Sequence, residues 1–95
     1  MLVSLGSAIS GTGVGPTWSV PMYRESDIVG VLQIYGTASS FSVTVEGRLS
    51  PDADWATIYT ATAKGLFDIS CCPEIRYNIT SITGGNLSIL LWRPS

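Results

Sequence analysis

The sequence predicts an all-β domain, an antiparallel β-sandwich or jelly-roll-like fold of seven to eight strands. Three observations lead there. Apolar residues recur with a period of two, as where Phe41, Val43 and Val45 alternate with Ser42, Thr44, Glu46 and Arg48, which is the repeat of a half-buried strand. Such runs return about every ten residues between turn residues, the spacing of sandwiches and barrels. Ser and Thr fill 22 of the 95 positions, and Gly and Pro recur among them, so that no segment reads as a good helix while many suit a strand.

Taken in order, Leu2 to Ile9 alternates loosely and is a candidate first strand. "GTGVGP", Gly11 to Pro16, reads as a flexible connection. Thr17 to Val20 reads as a short strand ended by Pro21. Tyr23 to Asp27 is the most polar stretch, a loop or a single helical turn. Ile28 to Tyr35 is nearly continuous apolar, with Ile28, Gly30, Leu32 and Ile34 on one face and Val29, Val31, Gln33 and Tyr35 on the other. A strand apolar on both faces is covered on both. A sandwich has one interior, so the second face needs a loop, an arm or a neighbouring subunit, and Val29, Val31 and Tyr35 become interface candidates.

The strand from Ser40 to Arg48 breaks into Ser50-Pro51-Asp52-Ala53-Asp54, where Pro51 presets a turn and Asp52 is expected to cap it through its side chain. Trp55 is expected to re-enter the sheet in "DWATIYTAT" and cover the end of the core. After the Lys64-Gly65 turn, Phe67, Ile69 and Cys71 alternate with Asp68 and Ser70. Pro73 cannot donate to a ladder and separates that strand from one carrying Ile75, Tyr77 and Ile79. Gly84-Gly85-Asn86 signals a hairpin, and Leu87, Ile89 and Leu91 close the chain. The expected core is Ile28, Leu32, Ile34, Phe41, Val43, Val45, Phe67, Ile69, Ile75, Tyr77, Ile79, Leu87, Ile89 and Leu91.

The chain is long enough for one domain. It divides into an N-terminal strand or arm with its connection, residues 1–27, and a sandwich body, residues 28–95. The arm is expected to have no core contacts, so that Leu2, Val3, Leu5 and Ile9 are interface candidates and removal of residues 1–10 leaves the domain folded.

Charged residues make up 13% of the chain and the net charge is −2, against ~25% charged in an ordinary domain. A surface so weakly charged is poorly defended against association. Without a stripe of Lys and Arg there is no means of neutralising phosphates, which argues against nucleic acid. No apolar run reaches the length that would span a bilayer, and the N-terminus lacks the basic region of a signal peptide. Cys71 and Cys72 are adjacent, where a mutual bridge is strained. One thiol is expected to face the core and the other to face out or into an interface, in a reducing compartment. Asn78-Ile79-Thr80 and Asn86-Leu87-Ser88 match the glycosylation sequon, which matters only in a secretory pathway.

The chain has no histidine, and with it goes the usual proton shuttle and the commonest metal ligand. A vicinal cysteine pair is not a zinc site. Gly11, Gly13 and Gly15 lack the lysine and the strand–loop–helix setting of a phosphate loop. Asp52 and Asp54 supply two carboxylates where calcium wants six to eight oxygens. No catalytic, cofactor-binding or metal residue is therefore expected, and no enzyme. Trp55 with Asp52 and Asp54 is the one candidate ligand platform, an aromatic ring for a sugar between two carboxylates. The competing reading is a corner piece, since single surface aromatics are ordinary.

On these residues the run "FSVTVEGRLSPDADWATIYTATAKGLFDISCCPEIRYNITSITGGNLSILL" resembles small β-sandwich modules on the virions of tailed bacteriophages. The shared plan is an alternating strand ending in Glu46-Gly47, a Ser/Asp-rich turn with Asp52, then Trp55, a hairpin glycine at Gly65, Ile75-Arg76-Tyr77, and Gly85-Asn86-Leu87. The likeness covers residues 28 to 92. "RLSPDAD" stands where many such modules have a glycine-rich turn, and residues 1 to 27 have no counterpart. The resemblance implies a capsid decoration (cement) protein made in the host cytoplasm and placed on the outer capsid surface of the virion. Its implied partners are the major capsid protein, whose neighbouring subunits it bridges, and itself as a homotrimer. Tail or fibre modules and carbohydrate-binding adhesion modules share the plan. A chain beginning at Met1 is expected to be free-standing rather than a tail or fibre module, and a sugar-binding module would act through Trp18, Trp55 or Trp92.

Overall fold

The computed structural model describes residues 2–19 and 29–93. The expectations for Tyr23 to Asp27 and for Ile28 fall outside them. Regular structure among the described residues is all β: β1 (Leu2–Ile9), β2 (Gly13–Val14), β3 (Trp18–Ser19), β4 (Val29–Gly36), β5 (Ser40–Arg48), β6 (Ala56–Ala61), β7 (Gly65–Ser70), β8 (Glu74–Thr83) and β9 (Leu87–Trp92). One sheet runs β1-β9-β4-β7, the other β2-β8-β5-β6, with β3 also on β8. Every pairing is antiparallel.

Nine strands fill eight places. The segment expected to be a flexible connection contains β2, which pairs with β8 at Ile79 and Asn78, while β3 pairs with the same strand at Ile75 and Glu74. Between them Gly15 still donates its N–H to the Tyr77 carbonyl at 2.9 Å. Pro16 has no N–H to give, so the ladder lapses there and resumes. The pairings then nest: β5 with β6, β4 with β7, β2 and β3 with β8, β1 with β9. Successive pairs alternate between the two sheets, as in a long hairpin rolled into a sandwich, which is the jelly-roll arrangement.

The inward face is the one that the period of two assigns. Leu32 and Ile34 of β4, Phe41, Val43 and Val45 of β5, Ile69, Ile75, Ile79, Leu87, Ile89 and Leu91 are all buried. Phe67 and Tyr77 pack against this core while staying partly exposed, and Phe67 stacks on Tyr59 at 5.1 Å between centroids where β6 and β7 meet. Burying each large aliphatic side chain stabilises the fold by about 1.5–3 kcal/mol relative to exposure.

Of the two readings of the N-terminus, strand or arm, the structure shows the strand, and against expectation it contributes to the core. β1 pairs with β9 from Leu2 opposite Trp92 to Ile9 opposite Leu87, with irregular register around Gly6. It sends Val3 and Leu5 into the core, and Ile9 packs against it. The alternation of Leu2 to Ile9 is loose because two register shifts interrupt the strand, and this obscured its inward residues. Ala8 takes a left-handed conformation, φ 50°, and gives its N–H to the Ser88 hydroxyl at 3.0 Å. At the same end of β9, just before Leu87, Gly84 and Gly85 turn the chain with φ of 79° and 146°, a region that favours glycine. The turn is clasped by the β4–β5 connection: Thr37 and Ala38 donate to the Asn86 carbonyl at 2.9 and 3.0 Å, and Asn86 donates back to the Thr37 hydroxyl at 3.1 Å.

Candidate functional site

The corner after β5 resolves into a surface cluster. Ser50 and Ala53 close the turn through an N–H to carbonyl bond of 3.0 Å, and the Ser50 hydroxyl accepts the N–H of Asp52 at 3.2 Å. Ser50, not the expected Asp52, is the residue whose side chain caps the turn. Asp52 and Asp54 are exposed. Trp55, expected to cover the end of the core, covers two arginines instead. It lies on the outer face of the second sheet, its ring 4.3 Å from the Arg48 guanidinium and 4.2 Å from that of Arg76.

Register explains the arrangement. Glu46 faces Arg76 and Arg48 faces Glu74 across the β5–β8 pair, and opposite charges directly across a sheet stabilise it. Both pairs are formed, Arg76 Nε to Glu46 Oε1 at 2.8 Å and Arg48 Nε to Glu74 Oε1 at 2.6 Å. Trp55 then covers both cations, an aromatic face on two charges. The motif residues Glu46, Trp55 and Arg76 therefore belong to one contact cluster. As a ligand platform the site is weak: the ring is engaged by the protein's own arginines, and the neighbouring carboxylates are not built around it.

The vicinal cysteines lie between β7 and β8, where the chain crosses from one sheet to the other. Each thiol sits against a glycine. A side chain at Gly30 of β4 would strike the Cys71 sulfur, and one at Gly47 of β5 would strike the Cys72 sulfur. Cys71 is buried, Cys72 half-buried, and both are free. Burial pushes the Cys71 thiol above its ordinary range; the charge of Arg93 pulls the other way and Cys72 adds to the rise. Burial also raises the Cys72 thiol. Arg93 is fully buried, which the sequence reading missed. The signal was its parity, since it continues the inward series Leu87, Ile89, Leu91.

The third feature is the outer face of the β1-β9-β4-β7 sheet. Register lines its side chains into rows: Leu2, Trp92, Val31 and Asp68 in one, Ser4, Leu90, Gln33 and Leu66 in the next, then Ser88 beside Tyr35. Large apolar side chains stand in solvent here, with Leu66 67%, Leu2 64%, Val29 55%, Trp92 48% and Tyr35 44% exposed. Asp68 is the one charged residue in these rows. Of the interface candidates, the structure brings Leu2, Val29, Val31 and Tyr35 together on this face. It removes Val3 and Leu5 to the core, where they have no surface to offer, and leaves Ile9 packed against that core. Leu66 and Trp92 were missed as members, though their outward parity was visible. Trp18 is exposed on β3, at the edge of the other sheet. Among the described residues no three of His, Cys, Asp or Glu gather as a metal ion would require.

No protein-family model and no curated protein matches the chain. Among solved structures it is similar to the crystal structure of the SPBc2 prophage-derived protein YomS, with a TM-score of 0.72 at 9% sequence identity, covering 97% of this chain and 90% of that one. At that identity the likeness is one of fold, and it extends through both sheets.

Proposed function

We propose that this chain is a structural protein of a bacteriophage particle that decorates the outer surface of the capsid and stabilises it by bridging neighbouring copies of the major capsid protein. The observation that carries the reading is a fold that runs, over almost its whole length, parallel to that of a prophage-derived protein. The weakly charged surface, poorly defended against association, suits a protein that works in contact with others. The sequence resemblance to virion modules points the same way, and such a role is one of binding rather than catalysis. Two free thiols are compatible with synthesis in a host cytoplasm.

The test is imaging of intact particles together with co-sedimentation of the purified chain with particles that lack it. Density of this size on the outer capsid, and saturable binding to such particles, are the expected results. Absence from purified particles, or density confined to the tail, would overturn the reading. Glycan binding by the isolated chain that is lost in Trp55→Ala would replace it with adhesion.

A further inference from the structure

We propose that the outer face of the β1-β9-β4-β7 sheet is closed by the same face of a second copy of this chain, giving a two-fold dimer. The inference stands on the face itself and does not depend on the particle reading.

Size is the first argument. Four strands about 4.8 Å apart, with a longest strand of eight residues rising about 3.3 Å each, give a footprint near 500 Å² before relief is counted. Leu2, Leu66, Val29, Trp92 and Tyr35 stand out from that plane and carry the accessible area toward the ~600–800 Å² per partner of the smaller stable interfaces. A second copy covers the whole face with an equal one.

Shape and charge are the second. Consider a two-fold axis lying in the interface, parallel to the strands and between β9 and β4. It lays β9 over β4 of the second copy and β1 over its β7, and it preserves the register rows. Ser4 then meets the second copy's Leu66 and Trp92 meets its Val31, while Tyr35 falls over the Ser88 position, where Ser88 itself is buried and bonded to Ala8. Large residues fall on small ones across the face, and two sheets packed this way keep their strands nearly aligned, as in sandwich interiors. Asp68 falls opposite Leu2 at the margin, where its carboxylate stays in water. No charge has to be buried, which is what a face with this composition permits.

Symmetry is the third. A single self-complementary patch closes with two copies, whereas a ring of three needs two different patches that fit each other. The resemblance implies three copies; the face argues for two, and the mass decides.

The experiment is light scattering on the purified full chain at micromolar concentration. A mass of twice the 10.1 kDa chain is expected. Leu66→Lys and, separately, Tyr35→Glu place a charge in the face at residues already exposed in the single chain, so each variant is expected to remain folded by circular dichroism and to run as a monomer. Register is read by Ser4→Cys combined with Leu66→Cys: the pair is expected to form a cross-linked dimer on mild oxidation, while Ser4→Cys alone does not. A monomeric or trimeric wild-type chain, a dimer that survives both charged variants, or failure of the double-cysteine cross-link would each overturn the proposal.

Discussion

At Trp55 the indole rests on two guanidiniums whose charges are already matched by Glu46 and Glu74. Truncation removes the ring contacts and wets the two ion pairs, and Trp55→Ala is expected to cost about 1–2 kcal/mol, the sum of two partly exposed cation–π contacts. Ser50→Ala removes the hydroxyl that accepts the Asp52 N–H, leaves the backbone bond that closes the turn, and is expected to cost ~1 kcal/mol or less, as a cap does. Asp52→Ala and Asp54→Ala touch exposed groups and are expected to stay within ~0.5 kcal/mol of wild type. Urea midpoints for the four variants give this order, and a larger loss at Asp52 than at Ser50 would restore the aspartate as the cap. The thiols make a second prediction, one of pH. Both are raised above the ordinary 9.0 by burial. Above pH 9 the unfolded chain therefore loses thiol protons that the folded chain keeps, and stability falls as pH rises through that window. Thermal midpoints from pH 7 to 10.5 should decline less steeply in Cys71→Ala than in wild type, relative to each protein's own midpoint at pH 7. An identical slope would mean that Cys71 is not the group responsible.

β1 separates what its sequence displays from what it does. Its alternation is interrupted by two register shifts and a left-handed Ala8, so it reads as a strand or arm without core contacts, yet it places Leu5 at 1% exposure beside the core of β9. Leu5→Ala is expected to cost ~2–5 kcal/mol, comparable to buried leucines elsewhere. Removal of residues 1–10 strips Val3, Leu5 and Ile9 from the core and bares the edge of β9, so the truncated chain is expected to be insoluble or to lack a cooperative melt. A truncated chain that melts like the full one would return β1 to the status of an appendage. The regular strands were readable because one side of each is buried and the period of two then fixes every residue: Phe41 to Val45 and Leu87 to Leu91 needed nothing more. What depends on pairing between distant segments was not. The four charges under Trp55 come from β5 and β8, and only register brings Glu46 to Arg76 and Arg48 to Glu74. The open face was half visible for the same reason. Val29, Val31 and Tyr35 announce it within one strand, whereas Leu66 and Trp92 join it from strands far away in sequence.

The nested pairing makes a prediction about the molecule as a whole. Because the outermost pair is β1 with β9, Leu2 lies opposite Trp92, at the ~4.5–5.5 Å separation of antiparallel partners. The two ends of the sandwich are thus within reach of a short linker. The innermost pairs, β5–β6 and β4–β7, are joined by the exposed residues Thr62, Ala63 and Lys64, a loop tip of the kind that tolerates new termini. A permuted chain that begins at Lys64, runs through β9, crosses a few Gly and Ser residues into Leu2 and ends at Ala63 keeps every strand pair of the wild type. It is expected to give the same near-ultraviolet spectrum and a single cooperative melt. Its folding is expected to change more than its structure. The permutation turns the most distant pair, β1–β9, into a local hairpin and leaves the β5–β6 hairpin intact, so the mean separation of contacting residues falls and refolding is expected to be faster. A permuted chain that collapses without a cooperative melt would show that the β1–β9 pairing does not bring the ends together in the way the register requires. Equal or slower refolding of a well-folded permutant would place the β1–β9 pairing after the rate-limiting step.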